Sequence, residues 1–568
     1  MVFFAVLYHA KYISMGYFLF VEITLVLALM ALLLPRGNGG EMPVLNVSIP
    51  LWILPAIVYL VGQIEMALLR HTEVFYLMTL AAALIITAIS AERPVKKIAV
   101  AVTIVGASIA LLFTVYASTF GNDTWRDAIW AKQILERGST TETTIRHSAY
   151  QLPMVPVLYA ILSLVSGSET VWSSVVLGFL YLIYLPIITF LVARRFTGVV
   201  SYEAPFLLLM TPLVVIWSVC YIPQIYAISI LLGAISTQMP LLLQLALLSA
   251  VVFSHPIVAV FAVLALLILA IHTRDKMAAK LLLALLSIFS IILIVFSDLR
   301  IYFINNLGIM WNRFQDLFHN GVSISVSSLQ SAPPKDVAFG YLSLSVIAVA
   351  VLLAFLHGGL SVKISVTLLS LPLIIAFIGL LTPLKDIFDF PRYLGLPAVV
   401  LLAMLAPHGF SILKAKRNGS LFAVFLMFVA ITSFVYTGVF MPENPFTATP
   451  SVYSVYGLVS WEEATHIPIL LQLLDGGKYI TDWRYGLSIA YEYTWISGKW
   501  NYWVFEDIYV YNAGAYGLIV DQSLLERAKL YLIYRRNAEE MPNVYNEDIK
   551  LLLNSSQILY NSDILILK

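Results

Sequence analysis

Long apolar runs separated by short polar loops fill most of this chain. A helix needs about 20 apolar residues to cross the ~30 Å hydrocarbon core of a bilayer. By that length, the pattern predicts an α-helical polytopic membrane protein with about 13 to 14 transmembrane helices. The predicted spans lie near residues 16–35, 50–69, 74–91, 97–117, 172–193, 204–219, 222–236, 239–253, 256–272, 279–297, 339–357, 364–382, 392–408 and 420–440.

Composition supports the same class of protein. Of the 568 residues, 60% are hydrophobic and 11% are charged, whereas soluble domains have about 25% charged residues. The 33 Lys and Arg residues nearly balance 32 Asp and Glu, so no basic surface for nucleic acid is expected. Cys220 is the only cysteine, which excludes an intramolecular disulfide. The N-terminus lacks a short apolar core with a small-residue cleavage site, so no removable signal peptide is expected.

The basic residues of the short loops indicate how the chain is oriented. Lys and Arg accumulate in cytoplasmic loops, and five basic loops fall on one side only if residues 153–167 do not cross the membrane. Pro153 and Pro156 favour a helix that lies in the interface instead. Residues 118–171, 298–338, 384–391 and 441–568 then lie together on the non-cytoplasmic side. The basic loops are centred on residues 93–97, 194–195, 274–276, 363 and 414–417.

The tail at 441–568 has a different pattern, with short runs typical of strands between polar breaks. These runs are Lys478–Thr481, Tyr516–Val520 and Lys529–Tyr534. They predict a small C-terminal α/β domain on the extracytoplasmic face. Tyr491–Tyr516 is rich in aromatic residues, which favours an anchoring belt at the membrane surface over a surface that faces sugar or lipid.

The most informative polar stretch opens the outer loop 118–171. Thr124–Arg137 reads as an amphipathic helix directly after a predicted span, which puts Asp123 at the membrane surface. Asp123 suits the N-cap of that helix, and Asp127 suits its first turn. Stabilisation of the helix N-terminus is an adequate explanation of both acids, and it requires no catalytic role.

The next segment supplies a functional interpretation. The loop continues through His147 into Leu152–Leu162, which reads LPMVPVLYAIL, and then into a span that ends at Arg194 and Arg195. This order of parts resembles the GT-C superfamily of membrane glycosyltransferases. The proline-rich segment looks like that of the protein mannosyltransferase and aminoarabinose transferase branches. Phe390–Pro397, which reads FPRYLGLP, looks like the late outer loop of the family.

The resemblance covers roughly residues 97–440, the GT-C-like catalytic module. Residues 1–96 would be extra N-terminal transmembrane helices, and 441–568 would be the extracytoplasmic domain. The chain departs from the family in two ways: Thr124 stands where several branches have Glu after the acid, and no Asp-x-Asp follows the first span. A divalent metal, Mg²⁺ or Mn²⁺, therefore stays an open question.

The resemblance implies transfer of a hexose or pentose from a polyprenyl-phosphate (dolichyl-phosphate) carrier to a glycan, lipid or protein hydroxyl, with inversion at the sugar. Such transfer passes through an oxocarbenium-like state, so it needs a base for the hydroxyl and cations for the departing phosphate. Asp123 suits the base, with Asp127 second. Arg392, beside Tyr393, suits the phosphate.

Three further polar residues are weaker candidates for positioning the substrate and binding its lipid phosphate: Arg126, Arg146 and His147. Each assignment has a simpler alternative. Arg392 suits snorkelling at a helix start, Arg126 suits a solvated helix face, and His255 before Pro256 suits a helix break where the side chain meets freed carbonyls.

Two other classes of function fit parts of the pattern. A transporter or a lipid or glycan flippase would place charged sites at the membrane midplane and often shows internal repeats, but the chain has no evident repeat and few acids within its spans. A non-catalytic scaffold would tolerate loss of Asp123. The long loops on one side favour chemistry at the membrane surface.

Overall fold

The structure of the chain is a computed structural model. It describes most of the helical part of the chain and the strands of the tail. The continuous ranges, apart from the strands, are 122–140, 153–211, 220–236, 239–273, 276–297, 342–380, 394–416, 419–435 and 461–473. The four predicted spans at 16–35, 50–69, 74–91 and 97–117 lie outside the described residues, apart from isolated positions in the last.

The described chain is mainly helical, and its helices follow one another closely. They are α1 (Asn122–Arg137), α2 (Met154–Ser166), α3 (Thr170–Thr197), α4 (Glu203–Leu209), α5 (Pro223–Ser236), α6 (Leu241–Ser254), α7 (Pro256–Thr273), α8 (Lys276–Val295), α9 (Leu342–His357), α10 (Leu360–Leu380), α11 (Leu396–Ala403), α12 (Ala406–Lys416), α13 (Gly419–Val435), α14 (Trp461–Thr465) and α15 (Ile467–Leu473).

Apolar helices with exposed apolar side chains mark a helical membrane protein. Among the described residues, α3 and α8 are long and apolar enough to cross a bilayer, and the bent pair α11–α12 is a third span if it counts as one. Several shorter apolar helices accompany them. Leu242 of α6 and Leu360 of α10 are 80% and 75% exposed. Large apolar side chains on so many outer surfaces require an apolar surrounding.

Most predicted spans between 172 and 440 coincide with a helix, and two of them are interrupted. The predicted span 204–219 is interrupted after α4, which ends at Leu209, because Thr211 accepts and donates hydrogen bonds of a turn. Val214 is helical again, and residues 212–213 and 215–219 lie outside the described residues. The predicted span 392–408 breaks between α11 and α12, which bend by 48°. Pro407 explains the break, because it has no N–H to donate to the carbonyl of Ala403 four residues earlier.

Helices α1, α2 and α3 form one packed group. α1 contacts both of the others, and α2 contacts α3. The turn from α2 to α3 is short because α2 ends at Gly167, whose φ of 69° is in the left-handed region that suits glycine. The Gly167 N–H donates to the Ser163 carbonyl at 2.8 Å and closes the helix end. This compact corner packs α1 and α2 against α3.

Helices α9 and α12 approach each other more closely than a side chain would allow. A Cβ added to Gly409 of α12 would lie 1.8 Å from the carbonyl oxygen of Ala350 in α9. Ala350 and its neighbours Ile347 and Ala354 are buried. Small residues at a helix crossing let backbones pack tightly, which is the main source of helix association in lipid.

The described part of the tail contains α14, α15 and five short strands. The strands are β1 (Tyr479–Thr481), β2 (Ile508–Val510), β3 (Tyr531–Arg535), β4 (Ile558–Asn561) and β5 (Ile564–Leu567). They form one sheet in the order β2-β1-β3-β5-β4. β1 pairs in parallel with β2 and β3, and β5 pairs antiparallel with β3 and β4.

Two predicted strand runs coincide with strands, namely those at 478–481 and 529–534. The run at 516–520 lies outside the described residues. β2, β4 and β5 had not been predicted, and β2 falls within the aromatic-rich stretch. A separate α/β domain and its extracytoplasmic position stay predictions.

A buried acidic cluster as candidate functional site

Helix α1 is a polar helix placed inside the protein. Every residue from Thr124 to Gln133 is buried. Burial of charged groups is costly unless each is paired and hydrogen-bonded. The buried polar residues of α1 are Thr124, Arg126, Asp127, Lys132 and Gln133.

Arg126 connects two carboxylates within one turn of α1. Its Nη1 donates to Asp123 Oδ1 at 3.0 Å, and its Nε donates to Asp127 Oδ1 at 2.9 Å. Its Nη2 lies 2.8 Å from the same Asp127 oxygen. Charge-assisted bonds of this length are among the stronger ones in proteins.

The two carboxylates differ in their access to solvent. The side chain of Asp123 is 24% exposed, whereas those of Arg126 and Asp127 are 5% and 0% exposed. Two carboxylates and one guanidinium sum to one negative charge. The cluster therefore combines a buried ion pair with one accessible carboxylate, an arrangement that suits proton acceptance at a surface.

The sequence-based account of this helix needs two corrections. α1 begins at Asn122, so Asp123 lies inside the first turn and is not the N-cap. Arg126 is 4% exposed, so the solvated helix face was wrong. The second error has its cause in packing, because α2 and α3 both contact α1.

A tyrosine from α2 lies beside the cluster, and sequence reasoning did not assign it. Tyr159 is fully buried, and its hydroxyl donates to the carbonyl of Tyr221. Burial raises the pKa of the Tyr159 phenol well above its usual value, and the Asp127 carboxylate adds to the rise.

α2 has 13 residues and is about 20 Å long, which is too short to cross the bilayer core.

Two hydrogen bonds join the elements around the cluster. Thr170 Oγ1, at the start of α3, donates to the Ala128 carbonyl of α1 at 2.8 Å. Ser173 Oγ donates to the Tyr159 carbonyl at 3.0 Å. The cluster is thus fixed to the N-terminal end of α3.

The basic residues of α3 lie at its other end. Arg194 and Arg195 occupy the last turn of this 28-residue helix, about 36 Å from Thr170 along the axis. Arg195 Nη1 donates to the Ile235 carbonyl near the end of α5 at 2.8 Å. Tyr184, halfway along α3, donates to the Ser229 carbonyl halfway along α5 at 2.8 Å. The acidic cluster and the arginine pair therefore stand at opposite ends of parallel helices.

Arg392, Tyr393, Arg146 and His147 lie outside the described residues. Of the predicted set, the structure brings Asp123, Arg126 and Asp127 together. α11 begins at Leu396, shortly after Arg392 in the sequence.

His255 lies at a helix break, as its place before Pro256 predicts. It lies between α6 and α7, and its Nδ1 accepts a bond from the Val258 N–H at 3.4 Å. The side chain therefore caps the start of α7. An imidazole acceptor at a helix start satisfies one of the N–H groups that have no partner inside the helix.

An apolar cavity of about 530 Å³ opens between α9, α10 and α11. Ile347 and Val351 of α9, Leu373 of α10, and Val399 and Leu402 of α11 are among the residues that line it. Almost all of its surface is apolar, so its chemistry suits a hydrocarbon chain.

No group of three His, Cys, Asp or Glu side chains that would hold a metal ion occurs in the part of the chain that the structure describes. Comparisons with protein-family models and with curated proteins found no match to the chain.

Proposed function

We propose that this protein is a membrane glycosyltransferase that moves a sugar from a polyprenyl-phosphate carrier to an acceptor hydroxyl at the outer membrane–water interface. The observation that carries the proposal is the acidic cluster, in which one accessible carboxylate, Asp123, stands beside a buried ion pair. Its position at the end of α3 opposite Arg194 and Arg195 agrees with a non-cytoplasmic site.

The proposed step needs one base and one leaving group. The Asp123 carboxylate accepts the proton of the acceptor hydroxyl while that oxygen bonds to the anomeric carbon. The bond from this carbon to the phosphate oxygen breaks, and its electron pair leaves with the phosphate. Attack from the face opposite the phosphate inverts the anomeric centre. Arg392 and Tyr393 are proposed to hold the departing phosphate.

The carrier determines where this chemistry takes place. Its phosphate stays at the interface while its isoprenoid chain stays in hydrocarbon. The apolar cavity between α9, α10 and α11 has lining residues that suit such a chain, and α11 begins four residues after Arg392. The predicted α/β tail is proposed to lie on the same outer face, where an acceptor glycan, lipid or protein arrives.

Transfer assays with Asp123→Asn test the proposal. The full chain in proteoliposomes receives tritium-labelled hexosyl and pentosyl polyprenyl phosphates together with lipid, glycan and peptide hydroxyl acceptors. Loss of the base is expected to lower kcat by about 10²- to 10⁴-fold. Glu136→Gln, an exposed acid at the other end of α1, is the matched control and keeps wild-type transfer. Unchanged transfer by a folded Asp123→Asn variant would refute the assignment.

A flippase is the second candidate, and the bent pair α11–α12 favours it. Broken helices near the membrane midplane are a common feature of transporters. The same proteoliposomes separate the two activities. Movement of the labelled carrier between leaflets without transfer of its sugar would support the flippase and contradict the transferase.

A further inference from the structure

The guanidinium of Arg126 is buried, with its side chain 5% exposed, and it faces two protein carboxylates. All three of its nitrogens lie within 3.0 Å of an oxygen of Asp123 or Asp127. A guanidinium that binds phosphate presents two of its N–H groups to the ligand. This geometry argues against the predicted role of Arg126 as a phosphate ligand.

The division of those contacts is unequal. Nε and Nη2 both meet Asp127 Oδ1, and only Nη1 meets Asp123 Oδ1. Asp127 is fully buried, so it has no path to an acceptor hydroxyl, while Asp123 is 24% exposed. One acid is placed to hold the arginine, and the other is placed to meet the substrate.

We propose that Asp127 and Arg126 are positioning residues that fix the carboxylate of Asp123, and that Asp123 alone takes the proton. The inference rests on the proposed function and specifies how its site works. By holding Nε and Nη2 of Arg126, Asp127 prevents the guanidinium from binding Asp123 with two nitrogens. Without Asp127, the Arg126 guanidinium would turn and bind the Asp123 carboxylate with two parallel hydrogen bonds. Both oxygens of the base would then be occupied, and its negative charge would be neutralised.

This mechanism predicts an unusual relation between two substitutions. Asp127→Asn is expected to lower kcat by about 10- to 100-fold while KM for the labelled carrier sugar changes less than about twofold. Adding Arg126→Gln to that variant removes the guanidinium that would otherwise occupy both oxygens of Asp123. The double variant is therefore expected to recover at least about threefold in kcat over Asp127→Asn.

The experiment measures kcat and KM of the full chain in proteoliposomes with the same tritium-labelled carrier sugars. The variants are Asp127→Asn, Arg126→Gln, Arg126→Lys and the double variant, with Glu136→Gln as the matched control. Arg126→Lys keeps the charge and is expected to exceed Arg126→Gln in kcat. Thermal unfolding in detergent confirms that each variant is folded before its rates are compared.

Three kinetic results would overturn the inference. If Asp127→Asn shows no sugar transfer while Asp123→Asn stays active, Asp127 is the base and Asp123 is the positioning residue. A double variant no faster than Asp127→Asn would remove the blocking role of Arg126. If Arg126→Gln raises KM for the carrier sugar and leaves kcat unchanged, Arg126 binds the carrier phosphate after all.

A second measurement separates this inference from the proposed function, because it needs no turnover. Cys220 is buried, and Cys220→Ala gives a background without cysteine. In that background, a membrane-impermeant methanethiosulfonate reagent should modify Asp123→Cys and leave Asp127→Cys unmodified. Equal labelling would overturn the division between the two acids. Absence of transfer in the wild type, with this labelling difference intact, would count against the proposed function alone.

Discussion

Helices α1 and α8 reverse the relation between polarity and burial that is usual in soluble proteins. α1 contains charged and amide side chains and is buried from residue 124 to 133, whereas the apolar α8 leaves Leu283 and Ile294 67% and 71% exposed. In lipid, apolar side chains gain little by leaving the surface, since the surrounding chains are equally apolar. Charged groups must be paired wherever hydrocarbon surrounds them. In α1, burial therefore goes together with charge pairing.

The largest expected effect comes from breaking the pair that allows α1 to be buried. Arg126→Met should lower the free energy of unfolding by about 3–5 kcal/mol, because Asp127 stays buried without its cation. Arg126→Met combined with Asp127→Leu should recover most of that loss. Unfolding by SDS in mixed micelles measures both. Arg137→Met, at the exposed end of α1, is the control. If the losses in free energy of unfolding of the two single variants simply add in the double variant, Arg126 and Asp127 are not paired.

A matched pair of leucines in α8 tests the lipid-facing side of the comparison. Leu285 is fully buried and Leu283 is 67% exposed. Leu285→Ala leaves a cavity and is expected to cost about 2–5 kcal/mol. Leu283→Ala exchanges protein surface for lipid and is expected to cost less than about 0.5 kcal/mol. Equal losses in the same SDS titration would mean that Leu283 does not face lipid.

The close crossing of α9 and α12 gives the smallest of the three effects. Gly409→Ala brings a Cβ into the Ala350 carbonyl and is expected to cost about 1–3 kcal/mol, as overpacking does. Gly359→Ala has open space around the new Cβ and serves as the control. The thermal unfolding midpoint in detergent measures the difference. Gly409→Ala at wild-type stability would show that the two helices sit farther apart.

The positions of the helices were predictable from the sequence because each follows from local chemistry. The apolar run at 172–193 predicted most of α3, and Pro256 predicted the start of α7. The break before Pro407 was missed although its signal is present: a proline four residues after Ala403 removes one helical bond. The short strands β4 and β5 were missed because three or four paired residues give little pattern by themselves.

The site was only partly predictable. Helical spacing puts Asp123, Arg126 and Asp127 within one turn of each other, so their proximity follows from the sequence. Their burial does not follow, because Tyr159 and Thr170, which lie more than 30 residues away in the chain, belong to the helices that enclose them. Whether an acid reaches solvent depends on such distant packing. For that reason, Asp123 and Asp127 could not be ranked by exposure before the fold was known.

An experimental structure of the full chain with a bound polyprenyl phosphate tests the central claim most directly. The account predicts the phosphate within hydrogen-bond distance of Arg392, in a cavity that also exposes the Asp123 carboxylate. The isoprenoid chain is predicted to leave that cavity toward the lipid. A phosphate bound elsewhere, or Asp123 and Arg392 on separate surfaces, would contradict the account.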